Sequence, residues 1–66
     1  MTAGDIVVYL ADPLMYGKLL VLEVAADGRL LCEAIHREPD GTYARELFDA
    51  IELELASVWA GQAATP

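Results

Sequence analysis

Hydrophobic residues occur along this chain in short runs that are separated by turn-forming residues. The first run, residues 6–10, is rich in β-branched and aromatic side chains, a composition typical of a strand. Successive side chains of a strand point to opposite faces, and this run has apolar residues on both. We therefore expect the strand to be covered on both faces or to lie partly in an interface. The pattern therefore predicts a first strand that begins directly after Gly4-Asp5.

Two further strands are predicted on either side of an Asp-Gly pair. Strand two covers residues 18–25 and strand three covers residues 29–38. Asp27-Gly28 lies between them and predicts a hairpin turn, because glycine readily adopts the positive φ that such turns need. One face of strand three is almost uncharged and is the predicted core face: Leu30, Cys32, Ala34 and His36.

The second half of the chain predicts two more strands. Residues 39–41, Pro-Asp-Gly, close a second predicted hairpin, with proline at a favoured turn position. Strand four covers residues 42–48, and strand five covers residues 51–55, where apolar and acidic residues alternate. We expect one domain over residues 1–60, followed by a flexible tail over residues 61–66.

A helix is the alternative interpretation of residues 43–60. This segment contains no proline or glycine. Its apolar residues also fall at helical spacing: Tyr43, Leu47, Phe48, Ile51, Leu55, Val58 and Trp59. One amphipathic helix packed on a three- or four-stranded antiparallel sheet would satisfy the same pattern. The strict alternation over residues 51–55 favours strands.

The segment between the first two strands carries large apolar side chains. Pro13 and Gly17 indicate a loop without a regular element. Leu14, Met15 and Tyr16 would either fold over an open end of the sheet or form a recognition patch, since loops on a rigid scaffold often carry binding residues. We group these three residues with Trp59 as a candidate partner-binding apolar patch.

The overall composition strengthens the case for an apolar interface. Hydrophobic residues make up 56% of the 66 residues, and the mean hydropathy is +0.37. Soluble domains usually contain about 45–50% apolar residues. One small core cannot hold this excess, so we expect part of it to contact a second copy or another protein.

The charge of the chain restricts its partners. Eleven acidic and four basic residues give a formal net charge of −7, which repels phosphates and anionic membranes. We therefore expect no direct contact with nucleic acid or membrane, and a preference for basic partners. The acidic residues of the second half form a candidate partner-binding stripe: Glu46, Asp49, Glu52 and Glu54.

The residues that usually carry chemistry are few. Cys32 and His36 are the single cysteine and histidine, and four residues along a strand hold them roughly 13 Å apart, so we expect no metal site. We also expect no cofactor and no enzymatic activity; an enzyme would need a site shared in an oligomer, with Tyr9, Tyr16, Tyr43 and His36 to test. A lone cysteine favours a reducing cytoplasm, and the first residues do not resemble a signal peptide.

Several short motifs resemble those of SH3-like small barrels of the KOW and Tudor type. Residues 4–8, Gly-Asp-Ile-Val-Val, are followed by a loop with Gly17 and then by residues 21–24, Val-Leu-Glu-Val. The Gly-Asp-x-Val start and residues 13–15, Pro-Leu-Met, are also similar to a small uncharacterised bacterial family with a Gly-Gly-Pro-x-Met loop, whose Gly-Gly pair is Ala-Asp here. The resemblance implies a five-stranded SH3-like barrel and implies no chemistry. The basic loop residues of nucleic-acid-binding KOW domains are absent.

Together these observations predict a small, acidic, non-enzymatic protein–protein interaction module of the cytoplasm. It would act through the apolar patch and the acidic surface and would associate with itself. A second hypothesis is an inhibitor from a phage or mobile element that imitates nucleic acid and blocks a basic nucleic-acid-binding protein such as a CRISPR effector. The small size and the charge of −7 motivate that hypothesis.

Overall fold

The computed structural model describes residues 1–64, and it describes side chains for residues 1–60. The described residues form five strands, two helices and one 3₁₀ segment. The strands are β1 (Ile6–Tyr9), β2 (Lys18–Val24), β3 (Leu30–Ala34), β4 (Arg45–Phe48) and β5 (Leu53–Leu55). The helices are α1 (Pro13–Tyr16) and α2 (Ala56–Ala64), and the 3₁₀ segment is Ala50–Glu52. No helix in this described part is long and apolar enough to cross a bilayer.

The five strands form one antiparallel sheet in the order β4-β3-β2-β1-β5. The first four strands follow one another as a meander, and β5 returns to pair with β1. This confirms the prediction of a mostly β protein with five strands. Within residues 1–64, β4 and β5 are the two edges of the sheet and it is not closed by pairing between them. The alternative of one long helix over residues 43–60 is wrong, because both edge strands lie in that segment.

One face of the sheet carries the core. Directly paired residues of neighbouring strands share a face, and the pairs that Leu19 makes with Val7 and Ala34 place all three on the inner face. The core cluster is Val7, Leu19, Val21, Leu30, Cys32, Ala34, Phe48 and Leu53. Three of the four residues on the predicted core face of strand three are therefore buried. His36 is exposed, because β3 ends at Ala34.

The sheet is strongly curled. In a flat sheet, β1 and β4 would lie about 14 Å apart, since neighbouring strands are about 4.8 Å apart. The ring centroids of Tyr9 on β1 and Phe48 on β4 are nevertheless only 5.2 Å apart. Tyr16 at the end of α1 completes the cluster, 5.7 Å from Tyr9 and 5.6 Å from Phe48. Curling therefore closes the inner face around three aromatic rings.

Both Asp-Gly turns form as predicted. The Gly28 N–H donates to the Ala25 carbonyl at 2.9 Å, and Gly28 has a φ of +88°. The Asp27 carboxylate accepts the Arg29 N–H at 3.0 Å, which holds the turn. The same arrangement recurs at Gly41, also with a φ of +88°. The two turns are three-residue hairpin connections in which glycine supplies the left-handed residue.

The second turn differs from the first in what it connects. Strand three was expected to reach residue 38, but β3 ends at Ala34, and β4 begins at Arg45 rather than at residue 42. Gly41 therefore lies at the tip of a longer loop, residues 35–44. Backbone hydrogen bonds hold this loop at both ends, with the Ala34 N–H donating to Ala44 and the Ile35 N–H donating to Lys18.

Three further expectations are corrected by the structure. Residues 13–16 form a helix, α1, because proline is well suited to the first helical position, where its missing N–H has no partner to lose. Residues 51 and 52 belong to the 3₁₀ segment, so β5 starts at Leu53. Helix α2 runs from Ala56 to Ala64 and so extends into the segment expected as a tail, whose residues 65 and 66 lie outside the described part.

Candidate functional site

Helix α1 presents the most exposed apolar side chain of the described residues. Leu14 is 91% exposed and Met15 is 63% exposed. Pro13 starts the helix and Gly17 ends it with a φ of +65°, so the two residues project from a single short turn. Burial of a leucine side chain contributes about 1.5–3 kcal/mol. Leu14 does not provide this stabilisation within the chain, because its side chain remains exposed to water.

An apolar groove of about 340 Å³ lies beside α1. Leu14 and Ile35 line it together with Trp59 of α2, and Val8 lies at its base. The remaining lining residues are Pro13, Gly17, Lys18 and His36. We call this cavity the apolar groove.

The apolar groove lies on the outer face of the sheet. Val8 pairs with Lys18 and Glu54, so it points away from the inner face that carries Val7. Val8 is only 3% exposed, and α2 packs against β1 and β5 on this side. β1 is thus covered on both faces, as its apolar residues at both parities predict.

A second groove, of about 260 Å³, also borders α1. It is lined by Leu14, Met15, Tyr16, Gly17, Ala34, His36, Arg37 and Glu38. Leu14, Gly17 and His36 line both grooves. The two grooves therefore form one continuous surface around α1.

The predicted apolar patch is placed around this surface. Leu14 and Met15 are exposed, and the half-buried Trp59 faces Leu14 across the apolar groove. Tyr16 has a different role, because its ring packs against Tyr9 in the aromatic cluster. Desolvation raises the pKa of Tyr16, and the negative charge of Glu46 and the neighbouring Tyr9 add to the rise. Tyr16 supports the patch from below.

The formally charged side chains that line the two grooves are Lys18, Arg37 and Glu38. Arg29 forms an ion pair with Asp27, and Arg45 forms one with Glu33. Among the described side chains, the two other basic residues, Lys18 and Arg37, make no ion pair. Both line the grooves, Lys18 the apolar one and Arg37 the second one, and His36 lies between them. Unpaired positive charge is therefore gathered around α1.

The sequence did not indicate this grouping. His36 was assigned to the core face of strand three, but it lies beyond the end of β3 and its ring packs against Gly17. The position of Lys18 beside the groove follows from the register between β2 and the end of β3. The Ile35 N–H donates to the Lys18 carbonyl at 3.2 Å, which brings the two residues side by side. That register requires the β2–β3 pairing.

The four residues of the predicted acidic stripe lie on both edge strands and on the short segment that joins them. Glu46 lies on β4, and Glu54 lies on β5. In the segment between these strands, the Glu52 carboxylate accepts the Asp49 N–H at 2.9 Å and so shapes the turn before β5. A single acidic stripe of these four residues stays a prediction.

The thiol and the residue types that bind metals are buried or dispersed in the part of the chain that the structure describes. Cys32 is buried, and burial raises the pKa of its thiol, so the reactive thiolate is disfavoured. The part of the chain that the structure describes contains no group of three or more His, Cys, Asp and Glu side chains that could hold a metal ion.

Comparison with known proteins found no matching family model, no matching curated protein and no matching solved structure. The candidate site is therefore characterised by its own residues. These are an exposed apolar helix, an apolar groove closed by a tryptophan, and basic side chains at the groove edge.

Proposed function

We propose that this chain is a non-enzymatic protein–protein interaction module that associates with itself or with another protein through the apolar patch around α1. The patch consists of Leu14, Met15, Tyr16 and Trp59. The observation that carries the proposal is Leu14, which is 91% exposed at the edge of a groove that Trp59 closes. A partner that covers this residue would recover its burial energy.

The size of the apolar groove supports a protein partner. Sites for small molecules usually measure about 300–1,000 Å³. At about 340 Å³, the apolar groove is at the lower end of this range. It suits one or two side chains of a partner, while the exposed Leu14 and Met15 would pack against the partner's surface around them. Tryptophan is also among the residues that most often dominate binding energy at protein interfaces.

The fold proposed for this module is an SH3-like barrel. Its support is the four-stranded meander, the return of β5 to β1, and the curling that brings Tyr9 against Phe48. The Gly-Asp-Ile-Val-Val start on β1 carries the resemblance to that group. A small rigid sheet of this kind can hold α1 and the loop of residues 35–44 in fixed positions.

Charge and the single thiol complete the proposal. The net charge of −7 favours a partner whose wider surface is basic, and that part of the attraction would weaken with salt. Cys32 is a free, buried thiol, which is compatible with the reducing cytoplasm in which we place the protein.

The proposal is tested by comparing two exposed leucines. Leu14→Ser removes the centre of the patch, whereas Leu47→Ser changes a leucine on β4 that is 48% exposed and lines neither groove. Self-association would be measured by light scattering over a range of concentrations, and other partners by affinity capture from the native host. We expect Leu14→Ser to lose the association and Leu47→Ser to keep it. Equal behaviour of the two variants and the wild type would contradict the proposal.

A further inference from the structure

We propose a specific occupant for the apolar groove: the turn that carries Ile51 on a second copy of this chain. This turn, Asp49–Glu52, connects β4 to β5, and we call it the Ile51 turn. The inference rests on the proposed function, because it assigns the partner that the patch around α1 would bind.

The Ile51 turn presents an apolar side chain to solvent. Ile51 is 87% exposed, second only to Leu14 among the large hydrophobic residues that the structure describes. In the alternating pattern of residues 51–55, Ile51 was expected to share a half-buried strand face with Leu53 and Leu55. The 3₁₀ segment rotates it away from that face, whereas Leu53 enters the core and the partly buried Leu55 packs against it. Folding leaves Ile51 without contacts that would bury it.

The Ile51 turn is also held in a fixed shape. The Glu52 N–H donates to the Asp49 carbonyl at 2.9 Å, and the Asp49 N–H donates to the Glu52 carboxylate at 2.9 Å. The Leu10 N–H donates to the Glu52 carbonyl at 2.9 Å, which anchors the turn to the end of β1. A preorganised projection loses little conformational entropy on binding. It can therefore insert into a groove without refolding.

The apolar groove is shaped to receive such a side chain. Leu14, Ile35 and Trp59 form an apolar wall around a volume of about 340 Å³. A branched aliphatic side chain fits this lining and would cover Leu14 at the same time. The two most exposed large apolar residues of the described chain would then bury each other.

Charge complementarity at Lys18 favours this contact between copies. Two chains with a net charge of −7 repel each other. The Ile51 turn carries the carboxylates of Asp49 and Glu52, and the apolar groove is bordered by Lys18 and His36. Lys18 makes no ion pair among the described side chains, so it is available to the partner copy. This contact places the acidic turn beside Lys18.

One contact needs a groove from one copy and a turn from the other, because the two are formed by different residues. Each copy would offer one groove and one turn. A variant that lacks a functional groove still carries a functional turn, and the reverse also holds. The two kinds of variant should therefore complement each other.

Complementation provides the test with the full-length chain. Leu14→Ser impairs the groove and Ile51→Ser impairs the turn, and both residues are exposed, so circular dichroism should show that each variant folds. We expect each variant alone to self-associate at least about tenfold more weakly than the wild type, because apolar burial is lost. An equimolar mixture of the two variants should form a 1:1 complex, which sedimentation velocity would detect. Leu47→Ser is the matched control and should associate like the wild type.

The outcomes separate this inference from the proposed function. A wild-type chain that stays monomeric into the millimolar range would overturn the inference and leave the patch for another partner. Loss of association in Leu14→Ser with full association in Ile51→Ser would also overturn it, while supporting the patch. A mixture that stays monomeric when each variant is monomeric would overturn the turn-in-groove contact. Weakening by Leu47→Ser alone would overturn both proposals.

Discussion

The two faces of β1 show two different uses of apolar side chains in one small domain. Val7 points to the inner face and is fully buried in the core. Val8 points to the outer face, where it forms the base of the apolar groove beneath Trp59. Leu14 stands uncovered at the edge of the same groove. One strand thus contributes to a closed core on one side and to an open surface on the other.

This difference explains why so short a chain contains 56% hydrophobic residues. The inner face needs its apolar residues for folding, because a small domain is stable by only about 5 kcal/mol or slightly more. Leu14 and Ile35, which line the groove and remain exposed, do not contribute in this way. Substitutions on the two sides should therefore affect different properties: stability for the core, association for the groove.

The largest effect on stability is expected at the centre of the inner face. Leu19 is 1% exposed, and its replacement by alanine would leave a cavity in the core. We expect Leu19→Ala to lower the free energy of unfolding by about 2–5 kcal/mol. Chemical denaturation followed by circular dichroism would measure this change.

Leu14→Ala is the matched control for that experiment. Because Leu14 is 91% exposed, its truncation should change the free energy of unfolding by less than about 0.5 kcal/mol. A large destabilisation by Leu14→Ala would mean that α1 is part of the core. The contrast between the two regions would then be wrong.

A smaller effect is expected where the groove wall meets the backbone. Gly17 has a φ of +65° and a ψ of −139°, a conformation that is almost restricted to glycine, and a Cβ there would lie 3.1 Å from the His36 ring. We expect Gly17→Ala to cost about 1–3 kcal/mol and to displace His36 from between the grooves. Thermal unfolding would measure the stability, and the NMR signals of His36 would report the displacement.

Gly28→Ala separates backbone strain from the contact with His36. Gly28 has a φ of +88° and no atom within 4 Å of the added Cβ, so only the strain of about 1–2 kcal/mol applies. It should leave the His36 signals unchanged. If the two variants gave the same stability and the same His36 spectrum, the packing of His36 on Gly17 would be refuted.

The smallest effect is expected at the exposed first turn. Hydrogen bonds from the backbone and then the side chain of Arg29 lower the pKa of Asp27. Because the folded pKa lies below the unfolded one, this carboxylate stabilises the fold above the unfolded pKa of about 3.9. That contribution is lost as the pH falls through the folded pKa. Asp27→Asn should therefore be slightly less stable than the wild type near neutral pH and equally stable in acid.

Thermal unfolding of both chains from about pH 6 to about pH 2 would show this convergence. Asparagine retains an oxygen that can accept the Arg29 N–H, so the comparison isolates the charge. A difference between the chains that stays constant over this range would contradict the role of the carboxylate.

The sequence predicts those parts of the fold that depend on local rules. Short apolar runs locate β1 and β2, alternation identifies the buried face of β3, and the Asp-Gly pairs locate both turns. Local rules fail where tertiary contacts decide. Pro13 reads as a helix breaker, yet it starts α1, and the last turn of α1 is fixed by the packing of Tyr16 against Phe48.

Only part of the candidate site can be predicted from the sequence, because tertiary contacts decide the rest. The apolar excess indicates that some large side chains are uncovered, and Leu14 and Met15 are among them. The groove itself requires the register that sets Ile35 beside Lys18 and the packing of α2 against β1. The exposure of Ile51 depends on a single 3₁₀ turn that interrupts an otherwise regular alternation. The spacing of Asp49 and Glu52, three residues apart as in a capping box, is the pattern that could have indicated that interruption.

The central claim is that the uncovered apolar surface around α1 is a contact surface, occupied by the Ile51 turn of a second copy. A series of ¹H–¹⁵N NMR spectra of the full chain at increasing concentration would test it most directly. We expect concentration-dependent shifts at the Leu14 amide, the Trp59 indole and the Ile51 amide, with the Leu47 amide unchanged. Shifts confined to Leu47 and its neighbours on β4, or no shifts at any concentration, would contradict the claim.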